Sequence, residues 1–293
     1  MSAIQELNGA VIETGKPLLN WTEGDIEQRL GFRGGRFTSA NRLLTFFIAV
    51  ILTVLFYVLM IFVFKPRPAL AWIADKFLER GICPYPTMFF FFWSVAILYL
   101  KGRKLVFQRR SLALNAVPQQ PDFILHTGTA GDVLARVHRL VDDTRHFVLL
   151  NRVDRALSNL RNIGQISDVS QILSAQADFD EAQIASSYNL VTGFVWAIPV
   201  LGFIGTVLGL GDAIGSFGLT LQAGGDLSKI KDSLQLVTGG LATAFDTTLI
   251  ALVGALIIQL YLTHLQHREA EFLDECNDYC HAHLVTKLRV SKD

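Results

Sequence analysis

Residues 189–211 read NLVTGFVWAIPVLGFIGTVLGLG, and residues 234–265 read LQLVTGGLATAFDTTLIALVGALIIQLYLTHL. Each is long enough to cross a bilayer, because about 30 Å of hydrocarbon needs roughly 20 apolar residues. Both also carry small and hydroxyl residues at helical spacing, and Asp246 and the threonines would be costly facing lipid without partners or water. The two stretches are therefore expected to face protein or an ion path, as a pore rather than as anchors.

Composition points the same way. Hydrophobic residues make up 51% of the chain and charged residues only 18%, and the mean hydropathy is positive, which places the protein in the membrane class. The net charge is zero, so bulk charge gives no argument for a nucleic-acid partner. Three cysteines, Cys83, Cys276 and Cys280, make no disulfide framework and suit polar regions in a reducing cytoplasm. No cleavable signal peptide is visible, and the first hydrophobic segment is expected to stay as a spanning helix.

The expected fold is all-α, a polytopic membrane protein with four transmembrane helices and a helical cytoplasmic region. Residues 1–42 form a cytoplasmic N-terminal segment. The first span, residues 43–64, carries no charge. The second, residues 83–100, opens on Pro84 and Pro86, which fit a first helical turn, and contains Trp93 and Tyr99, which suit membrane helices, although its shorter apolar core, Met88 to Leu100, also fits a re-entrant segment. Arg33, Arg36 and Arg42 precede the first span, and Lys101, Arg103, Lys104, Arg109 and Arg110 follow the second. That basic bias sets both flanks, and so both termini, in the cytoplasm. The connector of residues 65–81 carries Lys65, Arg67, Lys76 and Arg80 and fits the bias less cleanly.

Residues 101–188 are the one substantial polar region. After the loop-like VPQQPDF of residues 117–123, Val133, Leu134, Val137, Leu140 and Val141 recur at helical spacing, as do Leu150, Val153, Leu157 and Leu160. Breaks at Gly164 and around Ser167 and Asp168 suggest two or three helices. Their core would be thin and is expected to be completed by extensions of the membrane helices or by neighbouring subunits. The third and fourth spans are residues 189–211 and 234–265, and residues 266–293 continue the fourth as a cytoplasmic helix.

In the third span Pro199, Gly202, Thr206, Gly209 and Ala213 step by three and four and share one face. Gly205 and Gly209 form a small-xxx-small pair, whose plainest use is close helix packing. Thr206 is placed to bond the Gly202 carbonyl. In the fourth span Gly239, Thr243, Asp246 and Thr247 lie near one face, while Ala244, Thr248 and Ala251 lie near another. Asp246 and Thr248 are about 200° apart, so one helix cannot aim both at one point. Asp246 is the sole acid in that span, readable as an ion site or as a structural salt bridge.

WAIPVLGFIGTVLGL followed by GGLATAFDTTLIALVGALI resembles the paired pore helices of the MotA/TolQ/ExbB proton-channel family. The resemblance implies a homopentamer around a dimer of a MotB/TolR/ExbD-like single-span protein, driven by proton flow in the bacterial inner membrane. It implies Thr206 and Thr248 as the pore threonines and Pro199 as the helix-entry proline. At Thr243 the TolQ and ExbB branch carries a glutamate, which this chain lacks. The ion-pathway candidates are Thr206, Thr248, Asp246, Thr243 and Thr247. The pore-helix packing candidates are Pro199, Gly202, Gly205, Gly209, Gly239 and Gly240.

Other constellations carry less. Cys276, Cys280 and His283 share a helical face, but no C-x2-C spacing supports a zinc site. Asp142, Asp143 and His146 lack a nucleophile or phosphate loop and read as solvated helix-surface residues. No cofactor is expected, H⁺ is preferred to Na⁺ by the resemblance alone, and the chain is not expected to be an enzyme. A non-conducting membrane scaffold and a self-contained transporter are the competing readings.

Overall fold

The computed structural model describes residues 17–32, 34–118, 123–163, 166–222 and 227–288. Arg33, Gly164 and most of the VPQQPDF loop lie outside the described residues. Those described are all-helical, with two isolated parallel bridges, Leu19 to Val141 and Leu125 to Leu288. The chain divides into two units, residues 42–98 with 189–263, and residues 17–41, 99–188 and 264–288.

Short helices α1 (Trp21–Gly24) and α2 (Ile26–Arg29) precede α3 (Arg42–Leu59), which ends in a π-helical turn, Met60–Phe64. Next come α4 (Pro68–Leu78), α5 (Pro84–Arg109), α6 (Thr127–Leu140), α7 (Val148–Ile163), α8 (Ile166–Ser186), α9 (Asn189–Gln222) and α10 (Leu227–His283). Among the described residues, three helical stretches are long and apolar enough to cross a membrane: Arg42–Phe64, Val169–Leu219 and Lys231–Lys287. The helix α5, which holds residues 84–100, is not among the three. Helix α4 occupies the stretch read from sequence as a plain connector, with Pro68 in its first turn where a missing N–H costs nothing. Helices α9 and α10 both run past the apolar stretches, so most of residues 212–233 is helical as well.

In the membrane-type unit, aromatic side chains join α3, α5 and α9. Trp93 donates its indole N–H to Thr45 Oγ1 at 3.1 Å and lies 4.8 Å from the Phe194 ring, while Phe46 meets Trp93 edge-on at 5.2 Å. The helices α9 and α10 meet along a seam of small residues. A Cβ on Gly202 would sit 2.5 Å from Ala251 Cβ, one on Gly205 2.6 Å from Thr247 Oγ1, and one on Gly240 2.6 Å from the Gly209 carbonyl oxygen. The partners descend along α10 as they ascend along α9, so the helices are antiparallel. Gly239 is different, because a Cβ there meets nothing within 4 Å. The outward sides of both helices remain apolar and exposed, with Trp196, Phe203, Val207, Phe245, Leu252 and Leu256 among them.

The second unit is a helical domain with its own core. Val133, Leu134, Val137, Leu140 and Val141 meet Leu150, Val153, Leu157 and Leu160 inside it, and all are buried. The thin core is completed, as the sequence suggests, by the last turns of α10, whose Phe272, Leu273, Cys276, Cys280 and Leu284 are buried. Three ionic clusters are also enclosed. Arg152 donates to Asp180 at 2.8 Å and to the Asn277 amide oxygen at 2.5 Å, while Gln176 donates to the other Asp180 oxygen at 2.7 Å. Lys101 faces Glu269 at 3.5 Å and the Tyr188 ring at 4.0 Å; Tyr188 donates to Glu269 at 2.5 Å, and Thr38 bonds the same carboxylate. Burial pulls the Lys101 ammonium below the ordinary lysine range, against the opposing pull of Glu269. Lys104 pairs with Glu27 at 2.5 Å and Asp25 at 3.4 Å.

Asp142, Asp143 and His146 are not on a helix surface. They sit in the link between α6 and α7, where Asp142 accepts from the Trp21 backbone N–H at 2.9 Å, Asp143 caps a 3-10 turn, and His146 stacks on the Trp21 ring at 5.3 Å. The polar N-terminal segment thereby buries Trp21, which is 1% exposed. The cause is local. His146 and the asparates lie outside the 3.6-residue repeat of both flanking helices, so the chain turns there and its free N–H groups need partners.

Two expectations follow. Arg152→Ala should leave the Asp180 charge buried and unpaired, costing about 3–5 kcal/mol, seen as a lowered melting temperature in detergent; a double change to leucine at 152 and 180 should recover part of it. Gly240→Val should lower the melting temperature through overpacking of about 1–3 kcal/mol, whereas the adjacent Gly239→Ala should not lower it.

Candidate functional site

The antiparallel seam brings two threonines into register. Thr206 of α9 and Thr248 of α10 make a short hydroxyl-to-hydroxyl hydrogen bond. Thr206 Oγ1 lies 3.2 Å from both the Gly202 and Ala244 carbonyl oxygens, and Thr248 Oγ1 lies 3.1 Å from the same two. The sequence-level pairing of Thr206 with Gly202 is therefore present, but shared with the facing helix. Four oxygens gather at one point because Gly202 has no side chain and Ala244 only a methyl group to separate the backbones.

Two hydroxyls carry two protons and four lone pairs. Those protons are absorbed within the cluster, by the carbonyls or by the partner hydroxyl. Acceptor capacity is left over on the threonines, and both residues are half-buried, at the edge of the seam. The arrangement can receive a hydrogen bond from water or from a protonated carboxyl group, and it holds no permanent charge that would trap an ion.

The other candidates divide by face. Thr247 is buried in the seam, donating to its own helix at the Thr243 and Ala244 carbonyls, 3.0 and 3.1 Å away, and it fills the space above Gly205. Pro199 lies inside the unbroken helix α9. Asp246 is on the far side of α10 from Thr248, as the helical angle requires. Its carboxylate pairs with Lys76 of α4 and, at 3.0 Å, with Arg80 just beyond that helix. Arg80 also donates to Thr243 Oγ1 at 3.4 Å. Thr243 and Asp246 thus belong to an ionic clamp, and the structure does not bring them together with Thr206 and Thr248.

Lys76 and Arg80 were not identified as site residues from sequence. A signal existed: they are four apart on a helical pattern, and the lone acid of the fourth apolar stretch needs a cationic partner. In the other unit, Cys276 and Cys280 are buried thiols, and burial pushes Cys280 up to about 12 and Cys276 further. Among the described residues no group of three or more His, Cys, Asp or Glu side chains could hold a metal ion.

The antiparallel pair of apolar helices, its glycine seam and its hydroxyl cluster all fall within one stretch matched by a known family profile, described as the MotA/TolQ/ExbB proton channel family, over residues 147–277. No curated protein and no solved structure matches the chain. Over residues 147–277, somewhat under half of its length, this chain is thus similar to the MotA/TolQ/ExbB proton channel family.

Proposed function

We propose that the protein is the pore-forming subunit of a proton-driven motor or force-transducing complex of the bacterial inner membrane. Four helical segments, residues 43–64, 83–100, 189–211 and 234–265, cross the membrane with both termini in the cytoplasm. Five copies surround a dimer of a single-span partner carrying an intramembrane aspartate, and the chain performs no covalent chemistry. The observation that carries the reading is the half-exposed Thr206 and Thr248 pair, uncharged and with acceptor capacity to spare.

In this mechanism the partner's carboxyl group is neutralised beside the threonine ring and re-ionised after moving past it. A charged carboxylate is costly to desolvate and a protonated one is not, so protonation gates the movement. Pro199 and the glycine faces set the helix spacing on which the ring depends. Asp246 contributes differently: with Lys76 and Arg80 it fastens α4 to α10 and stands off the ion path.

A scaffold without conduction is favoured by one observation, the mutual satisfaction of the two hydroxyls with each other and with two carbonyls. Flux separates the readings. An interhelical hydrogen bond in a membrane averages about 0.6 kcal/mol, so Thr206→Ala and Thr248→Ala should still assemble, as five copies with two of the partner by native mass spectrometry. Proton flux in proteoliposomes should fall at least tenfold in each variant; full flux in correctly assembled variants would leave the scaffold reading. The double change Asp246→Asn with Lys76→Met should lower the melting temperature yet keep flux within about twofold, and a collapse of flux in the folded complex would place Asp246 on the ion path.

A further inference from the structure

A cavity in the helical domain lies beside the stretch of α5 that follows its apolar segment. It is lined by Leu100, Arg103, Lys104, Val106, Phe107 and Arg110 from that helix and by the α1–α2 segment around Glu23, Asp25 and Arg29. The two walls approach closely because Gly24 lies flat on the Phe107 ring, where any Cβ would strike the ring. Its inner charges are already used. Lys104 pairs with Asp25 and Glu27, and Glu27 also accepts the Gly35 and Asn41 backbone N–H groups at 3.2 and 2.7 Å.

The rim is different. Arg29, Arg103 and Arg110 are exposed, and none has a carboxylate partner among the described residues. Arg109, the neighbour of Arg110, turns instead to the Arg268 carbonyl and to Glu271. Three rim arginines therefore stand against one exposed acid, Glu23, over an apolar floor of Ile26, Leu100 and Phe107. Exposed apolar side chains, Leu30 and Val106, flank the same region.

We propose that this cavity binds the phosphate of an anionic glycerophospholipid. Guanidinium groups pair with phosphate oxygens through two parallel N–H bonds, and the apolar floor accepts the glycerol and upper acyl carbons. Position agrees with a membrane source rather than a soluble one. Arg103 lies three residues past Leu100, about 4.5 Å along the helix, and the headgroup layer is about 5–7 Å deep on each side. Arg110 closes the lip farther out. The lipid would hold the N-terminal segment against α5 at the bilayer surface. This rests on residues 83–100 spanning the membrane, which is checked separately by labelling Ile82→Cys with an impermeant maleimide from outside spheroplasts, with the unaltered protein as background.

The test is native mass spectrometry of the detergent-purified protein exposed to phosphatidylglycerol or to phosphatidylcholine. The expected result is retention of phosphatidylglycerol in preference to phosphatidylcholine. Retention should drop at least tenfold in the triple variant Arg29→Gln, Arg103→Gln, Arg110→Gln and stay unchanged in the control Arg139→Gln, Arg145→Gln. All five side chains are exposed, and an unchanged melting temperature verifies the fold of each variant. Equal retention by the triple variant would overturn the site. Displacement of the lipid by millimolar inorganic phosphate, or equal retention of phosphatidylcholine, would overturn the assignment to an anionic lipid.

Discussion

The contact on which the membrane unit depends is the backbone approach of α9 and α10. Lipid tails are as apolar as leucine, so two helices in a bilayer gain little by hiding apolar surface from one another. What remains is close contact and interhelical hydrogen bonding. Gly202, Gly205, Gly209 and Gly240 permit the contact, since each has a neighbour where its Cβ would be. The threonine cluster follows from it: the Gly202 and Ala244 carbonyls reach across only because the helices are so near. Chemistry and packing are one feature here, and a larger residue in the seam would remove both.

The helical domain is held by different forces. Its apolar core is ordinary, but lysine, arginine and carboxylate groups are sealed within it at exposures of a few per cent. Such pairs contribute little net stability against well-packed apolar residues, yet losing one partner is severe. Their effect is to fix arrangement. Glu269 and Asn277, two turns apart on α10, engage different partners, Lys101 with Tyr188 and Arg152 respectively. Each pairing defines one rotational setting of α10 in this domain, and both require the same setting.

Much of this was legible in the sequence because it depends on short periods. The apolar positions from Val133 to Leu160, the small face of α9 and the opposition of Asp246 and Thr248 are all consequences of 100° per residue. Thr206 and Thr248 were singled out through resemblance, and that they face each other was not legible, since no single-helix pattern fixes an antiparallel register. What stayed hidden depends on contacts far apart in the chain. Trp21 stands in a polar segment, and its companions His146 and Phe147 come from another region altogether. Helix α4 was masked by its charges, which read as topology signals until Asp246 supplied their partner. Helix α9 runs on past its apolar stretch to Gln222 and α10 begins before its own at Leu227, because hydropathy marks where a helix is apolar and not where it starts or stops.

The clamp at Asp246 has a consequence for how the protein is made. Lys76 and Arg80 leave the ribosome about 170 residues before the acid that pairs with them. Until then the two cations lack this counterpart, and a lone aspartate within an apolar membrane helix costs up to about 2.5–3.5 kcal/mol. Insertion of the last apolar helix is therefore eased by a helix already waiting for it. The ion pair therefore closes only once the last apolar helix has been made.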